Sequence, residues 1–296
     1  MAVVSRREAG KLLIAGCAGA LAPAGKVQGA TMINSVIRGV QIGAQSYSFR
    51  DRSMDAAIKA FREVGLGECE LTDSHVTPQD LTGDALTKWQ RETPMSYFRE
   101  VRRKWDNAGI LLYAYTYGFR KEMTDAEIEW GFRCAQAMGL KYITSSANIS
   151  VVPRVDRFAQ KYKIMVGFHG HSSVDRPDEF STAETFARGM RGASPYIGVN
   201  LDIGHFTAAG GDAVAYIREH HAKIVTLHLK DRKKGPEGAN LPFGQGDTPI
   251  VAVLRLLRDN HWKIPANIEY EYGTPGMDTL AEVKKCFAYC KQALEG

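Results

Sequence analysis

Short apolar runs rich in β-branched residues alternate along the chain with longer stretches whose apolar residues recur at helical spacing. The short runs have the length of buried strands, and the longer stretches predict amphipathic helices. The predicted strands are 40–47, 66–71, 110–116, 142–147, 164–169, 197–203, 224–229 and 266–271. The predicted helices are 54–64, 97–108, 125–138, 153–162, 182–190, 211–221, 249–260 and 278–294. Gly65, Gly109, Gly139 and Asn260 stand where helices give way to strands, and we expect left-handed helix stops there.

Strict alternation of strands and helices predicts a parallel sheet, and eight such units predict a single α/β domain of the (β/α)8 TIM barrel type. The alternative, a doubly wound sheet, favours a glycine-rich turn after the first strand. Residues 45–49 instead read Gln-Ser-Tyr-Ser-Phe. No linker or composition shift divides residues 25–296, so we expect one barrel domain with its chemistry at the C-terminal ends of the strands.

Residues 1–24 read as an export signal. Arg6 and Arg7 precede a weakly apolar stretch that ends in Ala-Pro-Ala at 22–24. The arginine pair resembles the twin-arginine pattern, which carries proteins that are already folded. The sequence therefore predicts a periplasmic or otherwise exported protein. Two alternatives remain open: an ordinary N-terminal tail, and a lipoprotein signal that ends at Cys17.

Composition narrows the class of protein. With 44% hydrophobic and 24% charged residues the chain is globular rather than disordered, and no apolar run is long enough to span a bilayer. The net charge of +5 argues little for nucleic acid, because part of it lies in the first 24 residues and the rest is dispersed. The four cysteines beyond residue 24 form no Cys-x-x-Cys pair, so we expect buried or free thiols: Cys69, Cys134, Cys286 and Cys290.

Four consecutive predicted strands, the fifth to the eighth, end in imidazole, carboxylate or ammonium groups. These are His169 and His171, Asp202 and His205, His228 and Lys230, and Glu269 and Glu271. In a barrel these ends converge on one mouth. Imidazoles and carboxylates without thiolates suit a divalent ion such as Mn, Zn, Co or Fe. The alternative is a buried layer of salt bridges and hydrogen bonds that caps the barrel.

The order and strand placement of these motifs resemble the xylose isomerase-like TIM barrels, the sugar isomerase and epimerase group that includes inosose dehydratase and the ketose 3-epimerases. The resemblance covers about residues 38–292. It rests on Asp-Ile-Gly-His at 202–205, His-Leu-Lys-Asp at 228–231, Ile-Glu at 268–269 and the Gly-x-Gly-Asp loop at 244–247.

The resemblance implies one divalent ion (Mn, Zn, Co, Fe or Mg) held by Glu, Asp, His and Glu from successive strand ends. Asp202, His228 and Glu269 match the last three ligands, and the first glutamate has no counterpart. His169 is the candidate for the vacant position, with His171 as the next choice because residues two apart share one face of a strand. Glu271 is the corresponding second choice for Glu269.

The missing glutamate bears on the mechanism. The epimerases of the group use two glutamates, one on each face of the substrate carbon, and only Glu269 fits that role here. A single carboxylate still permits isomerisation by one base, or proton abstraction followed by loss of a β-leaving group, with His169 as the second catalytic group. Lys230 is a candidate for holding a carbonyl or oxyanion, or alternatively for a salt bridge with Asp231.

Four further residues are candidates for substrate contact: His171, His205, Tyr115 and Glu70. His205 resembles a family position that contacts substrate hydroxyls. Tyr115 shares a predicted strand face with Tyr113 and Tyr117, which is typical either of a wall that stacks on sugars or of core packing. Glu70 is a candidate either for the pocket or for a buried polar network.

We therefore expect a metal-dependent isomerase or epimerase acting on an unphosphorylated sugar or keto-sugar, because no glycine-rich phosphate loop precedes a helix. A lyase or hydratase acting on 3-keto-glycosides is the first alternative. A sugar-binding barrel without catalysis and a metal-dependent endonuclease for abasic sites are the others. The nuclease would need more ligands, a three-metal cluster and a basic groove, and export argues against it. The expected partner is a small carbohydrate, not nucleic acid, and the oligomeric state stays open, a homo-oligomer included.

Overall fold

Eight parallel strands close into a barrel in the computed structural model, which describes residues 31–273 and 276–296. In chain order they are β1 Val40–Gln45, β2 Glu68–Thr72, β3 Leu111–Thr116, β4 Tyr142–Ser146, β5 Met165–His169, β6 Ile197–Asp202, β7 Ile224–Leu229 and β8 Ala266–Ile268. Each strand pairs with the next, and β1 pairs with both β2 and β8, which closes the ring. The predicted (β/α)8 barrel is confirmed. The predicted export signal lies outside the described residues.

Helices connect the strands and surround the barrel. They are α1 Met54–Val64, α2 Gly83–Glu92, α3 Met95–Asn107, α4 Asp125–Ala137, α5 Val152–Tyr162, α6 Ala183–Met190, α7 Ile203–Ala208, α8 Ala213–His220, α9 Ile250–Asp259 and α10 Thr279–Glu295. Sequence periodicity missed α2, which buries no residue, and α7, a helix of six residues that begins directly at the end of β6.

The expected left-handed stops occur at three glycines, with φ of 88° at Gly65, 74° at Gly109 and 68° at Gly139. Asn260 was predicted to be a fourth and is not: its φ is −96°, and His261 takes the left-handed conformation at 56°. The four cysteines beyond residue 24 are buried with free thiols, as expected. Among the described residues, no helix is long and apolar enough to cross a membrane.

Two β-bulges interrupt the alternation of side chains inside the barrel. The pairing of β2 with β3 skips Tyr113, and the pairing of β6 with β7 skips Val225. The two bulged residues meet across the barrel, where the Tyr113 hydroxyl donates a hydrogen bond of 2.9 Å to the carbonyl of Val225. Because a bulge adds one residue to one strand, the residues that follow it change face.

A layer of polar side chains fills the barrel below its C-terminal mouth. Glu68 and Glu70 both project into it from β2 and are fully buried. Glu70 accepts hydrogen bonds from Thr144 at 2.6 Å, Thr116 at 3.0 Å and Asn267 at 3.2 Å. Its neighbours thus supply the donors that a buried carboxylate requires.

The carboxyl group of Glu68, unlike that of Glu70, is not surrounded by hydrogen-bond donors. Both of its carboxyl oxygens, and Oδ1 of Asn267, lack a hydrogen-bond partner among the described residues. Oε2 of Glu68 and Oδ1 of Asn267 also crowd the same space above Gly43, where a Cβ atom would lie 1.7 Å and 2.3 Å from them, so a residue larger than glycine does not fit. Two neighbouring acceptors need a proton between them. Burial and the negative charge of Glu70 raise the pKa of Glu68 well above its ordinary value, so we expect a neutral acid that donates to Asn267.

This inference predicts how Glu68→Gln changes the dependence of stability on pH. A glutamate whose pKa is raised by folding contributes stability below its unfolded pKa and loses that contribution as pH rises towards its folded pKa. Between about pH 5 and pH 8, the unfolding free energy of the wild type should therefore fall relative to that of Glu68→Gln. The limit is about 1.4 kcal/mol per pH unit. Denaturant unfolding at a series of pH values measures the difference.

Glu70→Gln is the matched control, because Glu70 lies two residues away in the same layer. Burial alone would raise the pKa of Glu70, but the charge of His228 and the hydrogen bonds from His228 and Thr144 lower it. The control should be less stable than the wild type throughout this range. A stability difference between wild type and Glu68→Gln that did not vary with pH would show that Glu68 is ionised.

Candidate active site

Four side chains converge at the C-terminal mouth of the barrel. They are His169, Asp202, His228 and Glu269, all buried, and each offers a ligand atom within 4.8 Å of the others. Nε2 of His169 lies 3.5 Å from Oδ2 of Asp202 and 3.9 Å from Oε2 of Glu269. Nδ1 of His228 lies 3.0 Å from the same Glu269 oxygen. The group consists of the same four residues that the sequence predicts as metal ligands.

The residues of this group fit a divalent ion. Nε2 of His169 is buried and makes no hydrogen bond to any described residue, whereas Oδ2 of Asp202, also buried, has the ammonium of Lys230 at 3.0 Å. Buried polar atoms are normally satisfied, so an imidazole nitrogen without a hydrogen bond that faces carboxylate oxygens is suited to binding a cation. Two imidazoles and two carboxylates form a donor set suited to Zn, Mn, Fe or Co.

Neighbouring groups orient the side chains of the group. Asp202 is the N-cap of α7, and its Oδ1 accepts a hydrogen bond of 2.7 Å from the backbone N–H of His205, which leaves Oδ2 for the centre. His228 presents Nδ1 to Glu269 because its Nε2 lies 2.9 Å from Oε1 of Glu70. Proteins usually orient a metal-binding histidine in this way: a carboxylate holds one nitrogen of the imidazole, and the other nitrogen faces the ligand site.

Lys230 lies against the same carboxylates. Its Nζ is 2.8 Å from Oε2 of Glu269, 3.0 Å from Oδ2 of Asp202 and 2.7 Å from Oε2 of Glu271. Burial alone would lower the pKa of Lys230, but these three carboxylates raise it above its ordinary value, so the amine is charged. Of the two explanations considered for Lys230, a salt bridge with Asp231 does not occur, and the ammonium faces the site.

Each charged residue of the group stabilises the ionised form of its neighbours. Burial opposes ionisation of Asp202 and Glu269, but Lys230 and the neighbouring histidines hold the pKa of each below its ordinary value. Burial likewise disfavours a charged His228, yet Glu269 and Glu70 raise its pKa well above the ordinary value. Both carboxylates are therefore anionic at neutral pH, as proton acceptors and metal ligands must be.

A cavity of about 560 Å³, here called the inner cavity, opens above the group. His169, His228, Lys230 and Glu269 line it. His171 and His205 line it as well and stand at its outer edge, so the three residues proposed for catalysis or substrate contact from strands five and six, with His169 included, reach one space. Burial, together with the charges of His169 and Lys230, lowers the pKa of His171 to about 3, so its imidazole is neutral.

Two residues predicted to contact substrate do not reach the cavity. Tyr115 is 1% exposed and packs in the hydrophobic core, because the bulge at Tyr113 turns it to the outer face of β3. Glu70 faces the barrel interior but lies one layer too deep, where it holds Nε2 of His228. Both predictions are therefore corrected: Tyr115 is a core residue, and Glu70 positions a residue of the site. Glu271, the second choice for Glu269, pairs with Lys230 instead.

Asp231 builds the loop that follows β7. Its carboxylate accepts hydrogen bonds from the backbone N–H groups of Gly244 at 2.7 Å, Gly246 at 3.0 Å and Thr248 at 3.2 Å. A Cβ atom at Gly246 would lie 2.0 Å from Oδ1 of Asp231, which explains the glycine of the Gly-x-Gly-Asp motif. The aspartate of the His-Leu-Lys-Asp motif therefore has a structural task, and its lysine faces the cavity.

The first four strands contribute cavity residues that sequence reasoning missed. Gln45, Thr116 and Ser146 stand at the ends of β1, β3 and β4, and Arg120 follows β3. Each is a polar residue at or just beyond a strand end, and this position is the sequence feature that could have identified it as a cavity residue. It was weak because serine, threonine and glutamine are common in such positions, and because the bulge in β3 obscures which residues face inward.

Similarity to known proteins is consistent with this geometry. Residues 128–290 match the xylose isomerase-like TIM barrel family. An inosose dehydratase from Lactiplantibacillus plantarum is 26% identical over 153 residues, which are 46% of this chain and 50% of that protein. This chain thus matches about half the length of that curated relative.

Two solved structures share the fold. The probable 3-DHS dehydratase AsbF from Bacillus anthracis superimposes with a TM-score of 0.64 at 14% identity, over 84% of this chain and 99% of that one. The IolI protein, solved with a zinc atom, gives a TM-score of 0.60 at 15% identity, over 86% and 96% of the two chains. The family match spans more than half of the 296 residues and includes Asp202, His228 and Glu269. The chain belongs to the xylose isomerase-like TIM barrel family.

Proposed function

We propose that the protein is a metal-dependent enzyme that removes a proton from the carbon beside a carbonyl group of an unphosphorylated sugar or keto-sugar. The observation that carries this proposal is the buried group of His169, Asp202, His228 and Glu269 at the floor of a cavity that also presents the charged Lys230. A perturbed set of acids and bases that faces a cavity is the usual mark of an active site.

The four residues of the group would hold one divalent ion. The zinc in the IolI protein, which shares the fold, supports a metal here without deciding which one. When bound, such an ion polarises a carbonyl oxygen and stabilises the negative charge that develops on it. Nε2 of His169, which makes no hydrogen bond to any described residue, would gain a partner from it.

Glu269 is the residue that we propose as the base. It is ionised at neutral pH because His228 and Lys230 lower its pKa, so it is ready to accept a proton but is weak in doing so. The Nζ of Lys230 lies 2.8 Å from it and can donate a hydrogen bond to an oxyanion formed beside the same carbon. His171 and His205, at the edge of the cavity, are placed to hold substrate hydroxyls.

His169 replaces a second carboxylate in this group, so proton abstraction and return at opposite faces of one carbon lacks a matched pair of bases. Elimination needs only one base for its first step. The C–H proton moves to Glu269, the electron pair of that bond forms a carbon–carbon double bond, and the β-oxygen leaves with its bonding pair and takes up the proton that Glu269 accepted, which restores the carboxylate. Both named dehydratases among the similar proteins support a lyase of this kind.

Isomerisation by a single base is the second candidate. The observation that favours it is that Glu269 is the only glutamate of the group, because this residue can return the proton to the neighbouring carbon on the same face of the substrate. Isomerisation therefore needs no second base, whereas epimerisation by two carboxylates needs a second base on the opposite face.

The proposed role of Glu269 as the base predicts the effect of Glu269→Gln. The amide cannot accept the proton, so turnover should fall at least about 100-fold. Glu271→Gln is the matched control, since Glu271 contacts the same Lys230 amine but is not part of the buried group. It should retain most of the activity. Metal content is measured in the same samples by elemental analysis, so that loss of the base is distinguished from loss of the metal.

The assay that separates the two candidates uses keto-sugars and 3-keto-glycosides in D₂O. Elimination releases the β-substituent, whereas isomerisation leaves it attached and places deuterium on carbon. Metal-loaded protein that shows neither release nor exchange over a broad panel would contradict the enzyme proposal and favour a sugar-binding barrel.

The next prediction concerns metal content. Asp202→Ala removes an anionic ligand and should lose most of the bound metal. Glu70→Gln leaves all four ligands in place but no longer orients His228, so metal affinity should fall about 10- to 100-fold. Glu68→Gln, in the same buried layer but away from His228, is the control and should bind metal as the wild type does. Full stoichiometric metal in Asp202→Ala would overturn the ligand assignment.

We also propose that the protein is exported in the folded state. The support is the Arg6–Arg7 pair followed by a weakly apolar stretch. Replacement of both arginines by lysine should keep the full-length protein in the cytoplasm, as measured by cell fractionation. Periplasmic appearance of the lysine variant at wild-type levels would show that the pair is incidental.

A further inference from the structure

A second space, here called the outer cavity, opens from the inner one. It has a volume of about 750 Å³ and shares Arg120, Ser146, His171 and His205 with the inner cavity. The two spaces are therefore adjacent, and these four residues form the junction between them. A substrate whose carbonyl reaches the buried group thus has room beyond the junction for a further substituent.

The walls of the outer cavity are mostly polar. Beyond the junction they are formed by Ser172, Ser173, Asn148 and charged side chains together with Ala147 and Pro236, and no Phe, Tyr or Trp is among the described residues that line it. An aromatic substituent would bury its ring against apolar walls. Hydroxyl groups instead need donors and acceptors, and this wall supplies both.

The charges of the wall balance. Three arginines, Arg120, Arg176 and Arg232, stand against Asp175, Glu179 and Glu237. Phosphate- and sulfate-binding sites carry an excess of positive charge. The balance therefore favours a neutral occupant, which agrees with an unphosphorylated substrate.

Hydrogen bonds between loops hold the wall of the outer cavity in a fixed arrangement. Arg232 is 8% exposed and donates hydrogen bonds to Ser172 at 2.9 Å and to the carbonyl of Gly238 at 2.6 Å, which joins the loop after β5 to the loop after β7. On the other side, Asp178 accepts hydrogen bonds from the backbone N–H of Ser150 at 2.8 Å and from its hydroxyl at 2.7 Å. Such cross-links hold a binding surface in place before the ligand arrives.

Two solvent-exposed carboxylates on this wall are available to a ligand. Asp175 and Glu237 line the outer cavity and make no side-chain hydrogen bond or ion pair with the described part of the chain. Ionised carboxylates accept hydrogen bonds only, and adjacent hydroxyls of a sugar ring present donors at a spacing that one carboxylate can receive.

We propose that the outer cavity is a subsite for a second, hydroxyl-rich ring, joined to the ring that reaches the buried group. The substrate class is then a two-ring carbohydrate, a keto-disaccharide or a glycoside whose second part is itself a sugar. This inference rests on the proposed function of the inner cavity. In the elimination candidate, the second ring occupies the position of the leaving group.

The test compares D-fructose, a one-ring ketose, with lactulose, turanose and isomaltulose, which carry a second sugar on different hydroxyls of fructose. Calorimetric titration of Mn²⁺-loaded protein measures each affinity. At least one disaccharide should bind about tenfold or more tightly than fructose. The double substitution Asp175→Ala with Glu237→Ala should abolish that gain and leave fructose binding unchanged.

A steric variant gives an independent reading. Ser173→Phe places bulk in the outer cavity, whereas Val174→Phe places the same bulk on the adjacent residue, which is 47% exposed and does not line the cavity. Only Ser173→Phe should reduce disaccharide affinity to the level of fructose. If fructose binds and no disaccharide binds more tightly, the subsite is overturned and the proposed function stands. If none of these sugars binds metal-loaded protein, the proposed function fails, and the subsite fails with it.

Discussion

An excess of negative charge buried at the mouth of the barrel governs the arrangement of the site. Asp202, Glu269 and Glu70 are buried there. Lys230 lies 3.0 Å from Asp202 and 2.8 Å from Glu269, and His228 lies 3.0 Å from Glu269 and 2.9 Å from Glu70. Buried charges are costly unless they are paired and hydrogen-bonded. Lys230 and His228 do not neutralise three carboxylates with Glu271 beside them, so the group favours one more positive charge beside Nε2 of His169, which makes no hydrogen bond to any described residue.

The remainder of the barrel interior follows from that constraint. Glu70 can be ionised because His228 lies beside it and because Thr144, Thr116 and Asn267 donate to it, whereas Glu68, one layer below, makes no hydrogen bond to a described residue and is therefore expected to be neutral. Two carboxyl groups on one strand thus differ in charge because their surroundings differ. The ionised one orients the imidazole of His228, and the neutral one fills the space that Gly43 leaves open.

The sequence was informative about the fold and about part of the site, for physical reasons that can be named. Strand and helix periods predicted the barrel, whereas Asp202, His228 and Glu269 came from the resemblance of the strand-end motifs to the family, and His169 from its place at the end of the fifth strand. Alternation fails where a bulge adds a residue, which is why Tyr115 was misassigned. It also says nothing of depth along the barrel axis, so Glu70, on the correct face but too deep, could not be separated from a pocket residue. The outer cavity lies between loops, which carry no period at all.

The hydrogen bonds of Arg232 allow substrate specificity to change separately from the geometry of the reactive centre, two properties that often depend on the same residues in enzymes. The buried group is carried by strands, while the far wall of the outer cavity is carried by the loops after β5 and β7, which Arg232 joins through Ser172 and Gly238. Changes in these loops can therefore alter the shape of the outer wall while the reactive centre keeps its geometry. A barrel organised in this way can acquire new specificities during evolution, or in directed selection, by exchange of two surface segments that are held together by one arginine.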